Sequence, residues 1–331
     1  MTENYVKQSG LAKMRHFLAR FYPRILRPRS VVINTFADGV CNSSCSWCIT
    51  QYSLRERLLV GKLPFDLFKK FLQLNADDKF PLIPYGLGEP TIHKEFIPFC
   101  RYALDEGWSI AGIHSNLASP SLSDAVFDVI TEFEWITVNF GGGTKDTQYL
   151  NMKTDIDIAF ANLKRLLEAN AVNKSNLKIR AKMVLNKRNI TEVDLLRQKI
   201  KQISTDIDFG VYPLYFAVSD GSQADKKRFF EANLATPTGE VDERVPCREN
   251  VSLDSKGDVH TTSKLKGCYG LIPTVHFNGD VTVCCRSRWH QGVVGNAFMD
   301  PMRDIINSKK YKNAEKLALK RKYIEYCKFC S

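Results

Sequence analysis

The sequence predicts an α/β fold, a partial (β/α)6 barrel followed by a small C-terminal α+β unit. Three observations predict it. Apolar strand-like runs alternate with helix-like segments from residue 30 to about 214, and such alternation marks βαβ units on a parallel sheet. The alternation stops near residue 215, where a polar stretch with Gly and Pro turns begins. Nine of the ten cysteines fall into two groups, 41, 45 and 48 near the start and 247, 268, 284, 285, 327 and 330 near the end.

In chain order, residues 1–29 form a basic amphipathic extension with Leu11, Met14, Phe17, Leu18 and Phe21 on one helical face. It lacks the apolar h-region of a secretory signal and is expected to pack on the main domain. The barrel spans 30–214, with strands at 31–36, 81–86, 109–114, 135–140, 177–185 and 207–212. Helical patterns lie between them near 64–75, 94–106, 122–132, 154–169 and 190–203. In the strand at 177–185, Leu177, Ile179, Ala181, Met183 and Leu185 share one face, and Lys178, Arg180 and Lys182 share the other. Either this is an edge strand with a wet face, or its cations look into a polar lumen. The segment 215–264 reads as a bridge, and 265–331 as a second unit. That unit opens with "PTVHFNGDVTVCC", which alternates on both sides of Asn278-Gly279, a strong hairpin signal. A basic helix is expected at about 299–320, and the chain ends in "EYCKFCS".

The 331 residues are 44% hydrophobic and 25% charged, an ordinary globular balance for about two domains. No apolar run reaches the roughly 18 residues of a membrane span, so a cytoplasmic protein is expected. The net charge of +11 suits an anionic small substrate or an acidic electron donor. No basic motif interleaved with aromatics points to nucleic acid. Ten cysteines without a secretory signal point to metal or redox chemistry rather than to disulfides. Cys100, in the helical "KEFIPFCRYAL", reads as a small core residue.

The stretch "DGVCNSSCSWCITQY" places Cys41, Cys45 and Cys48 in the loop after the first strand. On a helix the three would share one face, but Gly39, Asn42, Ser43 and Ser44 are poor helix-interior residues. Thiolates bind zinc or iron–sulfur clusters. A structural zinc wants a fourth ligand close by, and the sequence supplies none there. Three thiolates on a four-iron cluster leave one iron open to another ligand.

This C-x3-C-x2-C loop, with Trp47 before its last cysteine, resembles the signature of the radical S-adenosylmethionine (SAM) superfamily. "YGLGEPT", 85–91, after the second strand, resembles the family's Gly-Gly-Glu-Pro segment, with Leu87 between Gly86 and Gly88. "HSNLA", 114–118, is similar to its Thr-Asn-Gly turn, with Ser115 and Asn116 in place and Leu117 where the family has glycine. Asn139 ends the fourth strand where the family often has a residue near the SAM ribose. The resemblance covers roughly 30–214. It implies a [4Fe-4S] cluster on Cys41, Cys45 and Cys48 whose open iron chelates SAM, and reductive cleavage of SAM to a 5′-deoxyadenosyl radical. It implies SAM contacts from Gly86, Gly88, Glu89, Pro90, Ser115, Asn116 and Asn139, with Arg180 chosen for the carboxylate because of its bidentate fit.

The C-terminal cysteines resemble the auxiliary-cluster extension of the SPASM/Twitch group, in its shorter one-cluster form. The segment "VVGNAFMDPMRDI", 293–305, also resembles that group. The resemblance implies a second [4Fe-4S] cluster on Cys268, Cys284, Cys327 and Cys330; a structural zinc on the same four is the alternative. Cys285 reads as a bystander, and Cys247 as a stray thiol, an alternative ligand or a hydrogen donor. His114, at a strand end, faces the expected site. The implied function is hydrogen abstraction from a small, carbohydrate-like substrate, phosphate-bearing among the options, with a peptide as the runner-up. A flavodoxin- or ferredoxin-like protein is the implied electron donor. A zinc-stabilised binding protein is the reading from another class.

Overall fold

The computed structural model describes residues 30–37, 39–52, 61–85, 88–215, 221–263, 271–284, 291–324 and 327. The N-terminal amphipathic stretch, Gly86, Cys268, Cys285 and Cys330 lie outside the described residues. Six strands form where the sequence places them: β1 Val31–Asn34, β2 Leu82–Tyr85, β3 Gly112–Ser115, β4 Trp135–Phe140, β5 Lys178–Val184 and β6 Asp208–Tyr212. β1 pairs with β2, and β3, β4, β5 and β6 pair in sequence, all parallel. A parallel bridge between Leu82 and Ile110 joins the two sets at the start of β3.

Parallel neighbours need crossover connections, and helices supply them. They are α1 Phe65–Leu74, α2 Phe96–Asp105, α3 Asp124–Ile130, α4 Lys145–Met152, α5 Ile156–Val172 and α6 Val193–Ile203. Their apolar stripes meet the outer face of the strands. Ile136, Val138 and Phe140 of β4 and Ile179, Ala181 and Met183 of β5 share one core with Phe71, Phe99, Phe127, Leu163 and Leu196 of the helices. Each of these side chains other than Ala181 gains about 1.5–3 kcal/mol from burial. β5 lies between β4 and β6, so it is not an edge strand. Its alternation follows from an apolar outer face and a polar lumen, and Cys100 is buried in the core as expected.

Beyond the barrel the chain caps both sheet edges. The hairpin expected at Asn278-Gly279 forms from β9 Thr274–Val275 and β10 Asp280–Thr282, with Gly279 at φ +86°. β9 pairs in parallel with the free edge of β1, Val32 opposite Thr274. At the far edge, Leu214 just after β6 forms a parallel bridge with Cys247. Unpaired edges invite association with other strands, and both are covered here.

Three local expectations differ. The bridge at 215–264 contains a helix, α7 Gln223–Asn233, and an antiparallel hairpin, β7 Glu249–Leu253 with β8 Val259–Ser263. The polar helix α4 was not expected from periodicity, because Gln148 and Asn151 are buried through hydrogen bonds rather than apolar contact. The basic helix at 299–320 is two helices, α8 Met302–Asn307 and α9 Lys309–Leu319. Ser308 breaks them by taking an extended conformation and accepting the Tyr311 N–H on its hydroxyl. The last strand, β11 Gly295–Asn296, pairs with β10.

Phe99 of α2 packs its ring 4.7 Å from that of Phe68 and 5.0 Å from that of Phe65. Phe99→Ala is expected to cost about 3–5 kcal/mol, read as a lower denaturation midpoint at unchanged slope.

Candidate active site

The thiol loop leaves the C-terminal end of β1. It is pinned to the last turn of α4 by Ser44 and Ser46, whose N–H groups donate to the carbonyls of Met152 and Asn151, each at 2.9 Å. Asn233, buried at the end of α7, accepts the Ser46 hydroxyl at 2.7 Å and donates to the Ser46 carbonyl at 3.0 Å. Every thiol has a polar partner. The Ser43 N–H donates to Cys41 Sγ at 3.4 Å, Ser43 Oγ lies 3.1 Å from Cys45 Sγ, and Thr50 Oγ1 lies 3.0 Å from Cys48 Sγ. Burial raises the Cys41 thiol to about 11 and pushes Cys45 higher still, with Cys48 adding repulsion to both. Bound metal reverses that cost, since ligation takes the thiolate form.

The donor set distinguishes one ion from a cluster. Tetrahedral zinc, with Zn–S near 2.3 Å, draws its sulfurs to within about 4 Å of one another. Among the described residues, no three His, Cys, Asp or Glu side chains gather closely enough to hold a single ion. Three soft thiolates with no fourth ligand beside them in the loop are a donor set that would fit a four-iron cluster with one iron left open.

The second motif is bound to the first. A Cβ at Gly88 would stand 2.2 Å from the Val40 carbonyl oxygen, so only glycine lets the two loops touch. Glu89 N–H donates to that same oxygen at 2.9 Å. The Glu89 carboxylate is buried and accepts four hydrogen bonds. Thr91 N–H (3.2 Å), Thr91 Oγ1 (2.7 Å) and Ser115 Oγ (2.6 Å) donate to Oε1, and Asn116 N–H (2.7 Å) donates to Oε2. Burial pushes its pKa up and these donors pull it down. Asn116 Nδ2 then donates to Asn42 Oδ1 in the thiol loop at 2.9 Å. The resemblance gives Glu89 to a ligand; here its side chain ties the motifs together. Leu117 takes φ +49°, the left-handed turn that glycine would favour, and is fully buried.

The lumen wall is polar and cationic. Strand register sets His114, Thr137, Arg180 and Asp208 on one level, and Asn139, Lys182 and Gly210 one step nearer the thiol end. Asn139 Nδ2 donates to the Ser115 carbonyl at 3.2 Å. Arg180 Nε stands 3.9 Å from Asp208, a loose pair, and Lys182 Nζ sits 4.6 Å over the Tyr212 ring. The register therefore sets Lys182, rather than Arg180, level with Asn139. His114 presents its ring to the lumen against that of Trp135, 5.2 Å away, and is open to solvent there. The dense wall around it first, then Lys182 and Arg180, lower its pKa to about 4.

Sequence reasoning missed Asn42, Thr91, Asn151 and Arg188. Arg188 follows β5, is half-buried, and donates from Nη1 to Asn151 Oδ1 at 3.3 Å. Asx-type loops leave no periodic signal, so these residues had none to give. Cys247 does not join the thiol loop; its Sγ donates to Glu249 Oε2 at 3.3 Å. Cys284 and Cys327 are half-buried beside Tyr323.

Residues 271–331 match the family model of the SPASM iron-sulfur cluster-binding domain. A curated relative, the tungsten-containing aldehyde ferredoxin oxidoreductase cofactor-modifying protein of Pyrococcus furiosus, is 34% identical over 80 residues. That match spans 23% of this chain and 21% of the relative. Among solved structures, anSMEcpe with bound AdoMet superposes with a TM-score of 0.53 at 16% identity, covering 92% of this chain and 85% of that one. Streptococcus suis SuiB bound to precursor peptide SuiA gives 0.53 at 13%, covering 91% and 70%. BtrN in complex with AdoMet and 2-DOIA gives 0.50 at 14%, covering 92% of each.

Barrel, thiol loop and capped edge give the chain the fold of these AdoMet- and peptide-bound structures. At its C-terminal end, over residues 271–331, the chain is similar to the SPASM iron-sulfur cluster-binding domain.

Glu89→Gln sets an amide NH2 against at least the Asn116 N–H that now donates to Oε2 and is expected to cost about 2 kcal/mol, measured by chemical denaturation. His114 should stay neutral down to about pH 4. The unfolded chain protonates it near 6.5, so its contribution to stability falls as pH drops from 6.5 toward 4 and is constant above. Lys182→Met should raise the His114 pKa, read from its NMR titration.

Proposed function

We propose that the chain reductively cleaves SAM at the thiol end of the barrel and abstracts hydrogen from a small, anionic, carbohydrate-like substrate in the lumen. The observation that carries this reading is the cationic lumen directly beneath the bracketed thiol loop. A [4Fe-4S] cluster on Cys41, Cys45 and Cys48 would, when bound, supply the electron that splits SAM into methionine and a 5′-deoxyadenosyl radical. The chain's own residues do the rest. Backbone around Gly88, Glu89 and Pro90 offers acceptors to the SAM amino group, with Gly86 assigned to the same loop. Ser115, Asn116 and Asn139 line the rim where the ribose would lie. Lys182 suits the SAM carboxylate by its level. Arg180, one step deeper, suits an anionic group of the substrate, and neutral His114 beside it adds no competing charge.

Cys268, Cys284, Cys327 and Cys330 are assigned to an auxiliary cluster, and Cys247 to no step. An acidic flavodoxin or ferredoxin suits a chain of net charge +11. Among the described residues no helix is long and apolar enough to cross a membrane, and free thiols suit a reducing cytoplasm. A peptide substrate is the second reading, favoured by the likeness to SuiB, which was solved with its precursor peptide.

Anaerobically reconstituted protein should hold about eight irons per chain, and should release 5′-deoxyadenosine with dithionite and SAM. Changing Cys41, Cys45 and Cys48 together to Ala should remove about half the iron and all cleavage. Zinc without iron would overturn the enzyme reading. If phosphorylated sugars leave the 5′-deoxyadenosine yield unchanged while peptides raise it, the substrate assignment passes to the second reading.

A further inference from the structure

Outside the barrel one buried group has no task. Tyr323 lies just past α9, four residues before Cys327, and packs against the edge of the main core, as Cys284 does. Its Oη is buried and has no hydrogen-bond partner among the described residues. Such an orphan costs about 1–3 kcal/mol, so the fold holds it at a loss. Two devices keep it there. Gly292 has φ +72°, and a Cβ at that position would stand 2.5 Å from both Oη and Cζ of Tyr323. The chain then turns back: Cys327 N–H donates to the Ile324 carbonyl, and Arg321 Nε donates to the Cys327 carbonyl, each at 2.9 Å. The thiols of Cys284 and Cys327 lie close enough to act on the phenol, which, like any tyrosine hydroxyl, is a neutral donor near neutral pH.

We infer that Tyr323 donates its hydroxyl hydrogen bond to a sulfur of the iron–sulfur cluster held in part by Cys284 and Cys327, and thereby raises that cluster's reduction potential. The inference rests on the proposed assignment of those cysteines. Reduction adds negative charge to the cluster sulfurs, so a donor aimed at one stabilises the reduced form more than the oxidised form. A hydroxyl with no protein partner is the donor such a site needs. Removing the oxygen alone should leave packing intact and lower the potential.

The test uses the full chain with Cys41, Cys45 and Cys48 changed to Ala, so that the C-terminal cluster alone is loaded. The protein is reconstituted anaerobically, assayed for iron and sulfide, and titrated against redox potential while the cluster's EPR signal is followed. Tyr323→Phe should match the background protein in iron and sulfide and titrate at a more negative midpoint. Gly292→Ala, which displaces the phenol, should shift the midpoint the same way. Full loading with an unchanged midpoint in Tyr323→Phe overturns the inference. Iron lost in Tyr323→Phe alone means the hydroxyl is structural, and also overturns it. If the background protein itself takes up no iron, the cluster assignment falls and the inference falls with it, a failure that metal analysis tells apart from the others.

Discussion

The buried carboxylate of Glu89 is the constraint on which the site depends. Left without partners, a buried charge of this kind would cost several kcal/mol. Its four donors come from its own loop and from the end of β3. Satisfying it therefore fixes the second motif against the third. The Glu89 N–H to Val40 and the Asn116 amide to Asn42 carry that fixing on to the thiol loop. Three loops that follow three different strands become one rigid rim. A ligand meeting that rim finds backbone groups already placed, so little ordering entropy remains to be lost on binding.

Below the rim, the lumen's charge is arranged by parity. One face of β5 must be apolar to meet the helices, so Arg180 and Lys182 turn inward together. Asp208 offsets Arg180 only loosely at 3.9 Å, in a half-exposed pair worth little. The dense wall around His114 first, and then the two cations facing the same cavity, keep it neutral, and those cations leave a field that favours an anion. The same parity answers how the sequence could speak about the site: a polar face on an interior parallel strand has no use in packing.

The six strands and five expected helices were legible because each carries an apolar period matched to its element. Helix α4 was not, since Gln148 and Asn151 bury themselves by hydrogen bonding Gly141 and leave no apolar stripe. Helix α7 and the β7–β8 hairpin were hidden by the polar composition of their segment. The thiol loop was legible from residue type and spacing alone. Its supporting residues were not, because Asn42, Thr91 and Asn233 act through contacts remote in sequence. Leu117 shows the reverse. A motif position that favours glycine is filled by leucine, and the left-handed backbone persists. The strain of about 1–2 kcal/mol is smaller than the 1.5–3 kcal/mol that full burial of the side chain returns.

Strand direction links the two cysteine groups. Cys41 follows β1 beyond its C-terminal end. β9 lies beside β1 and runs the same way, and β10 returns antiparallel, with Thr282 level with Thr274 and hence with Val32. The chain therefore reaches Cys284 while travelling away from the thiol loop. At about 3.3 Å per residue, the length of β1 lies between the level of Cys284 and the end of the strand that leads to Cys41. Cys284 is thus held to the same sheet as the thiol loop but at its other end, and strand direction alone keeps the two from sharing a site.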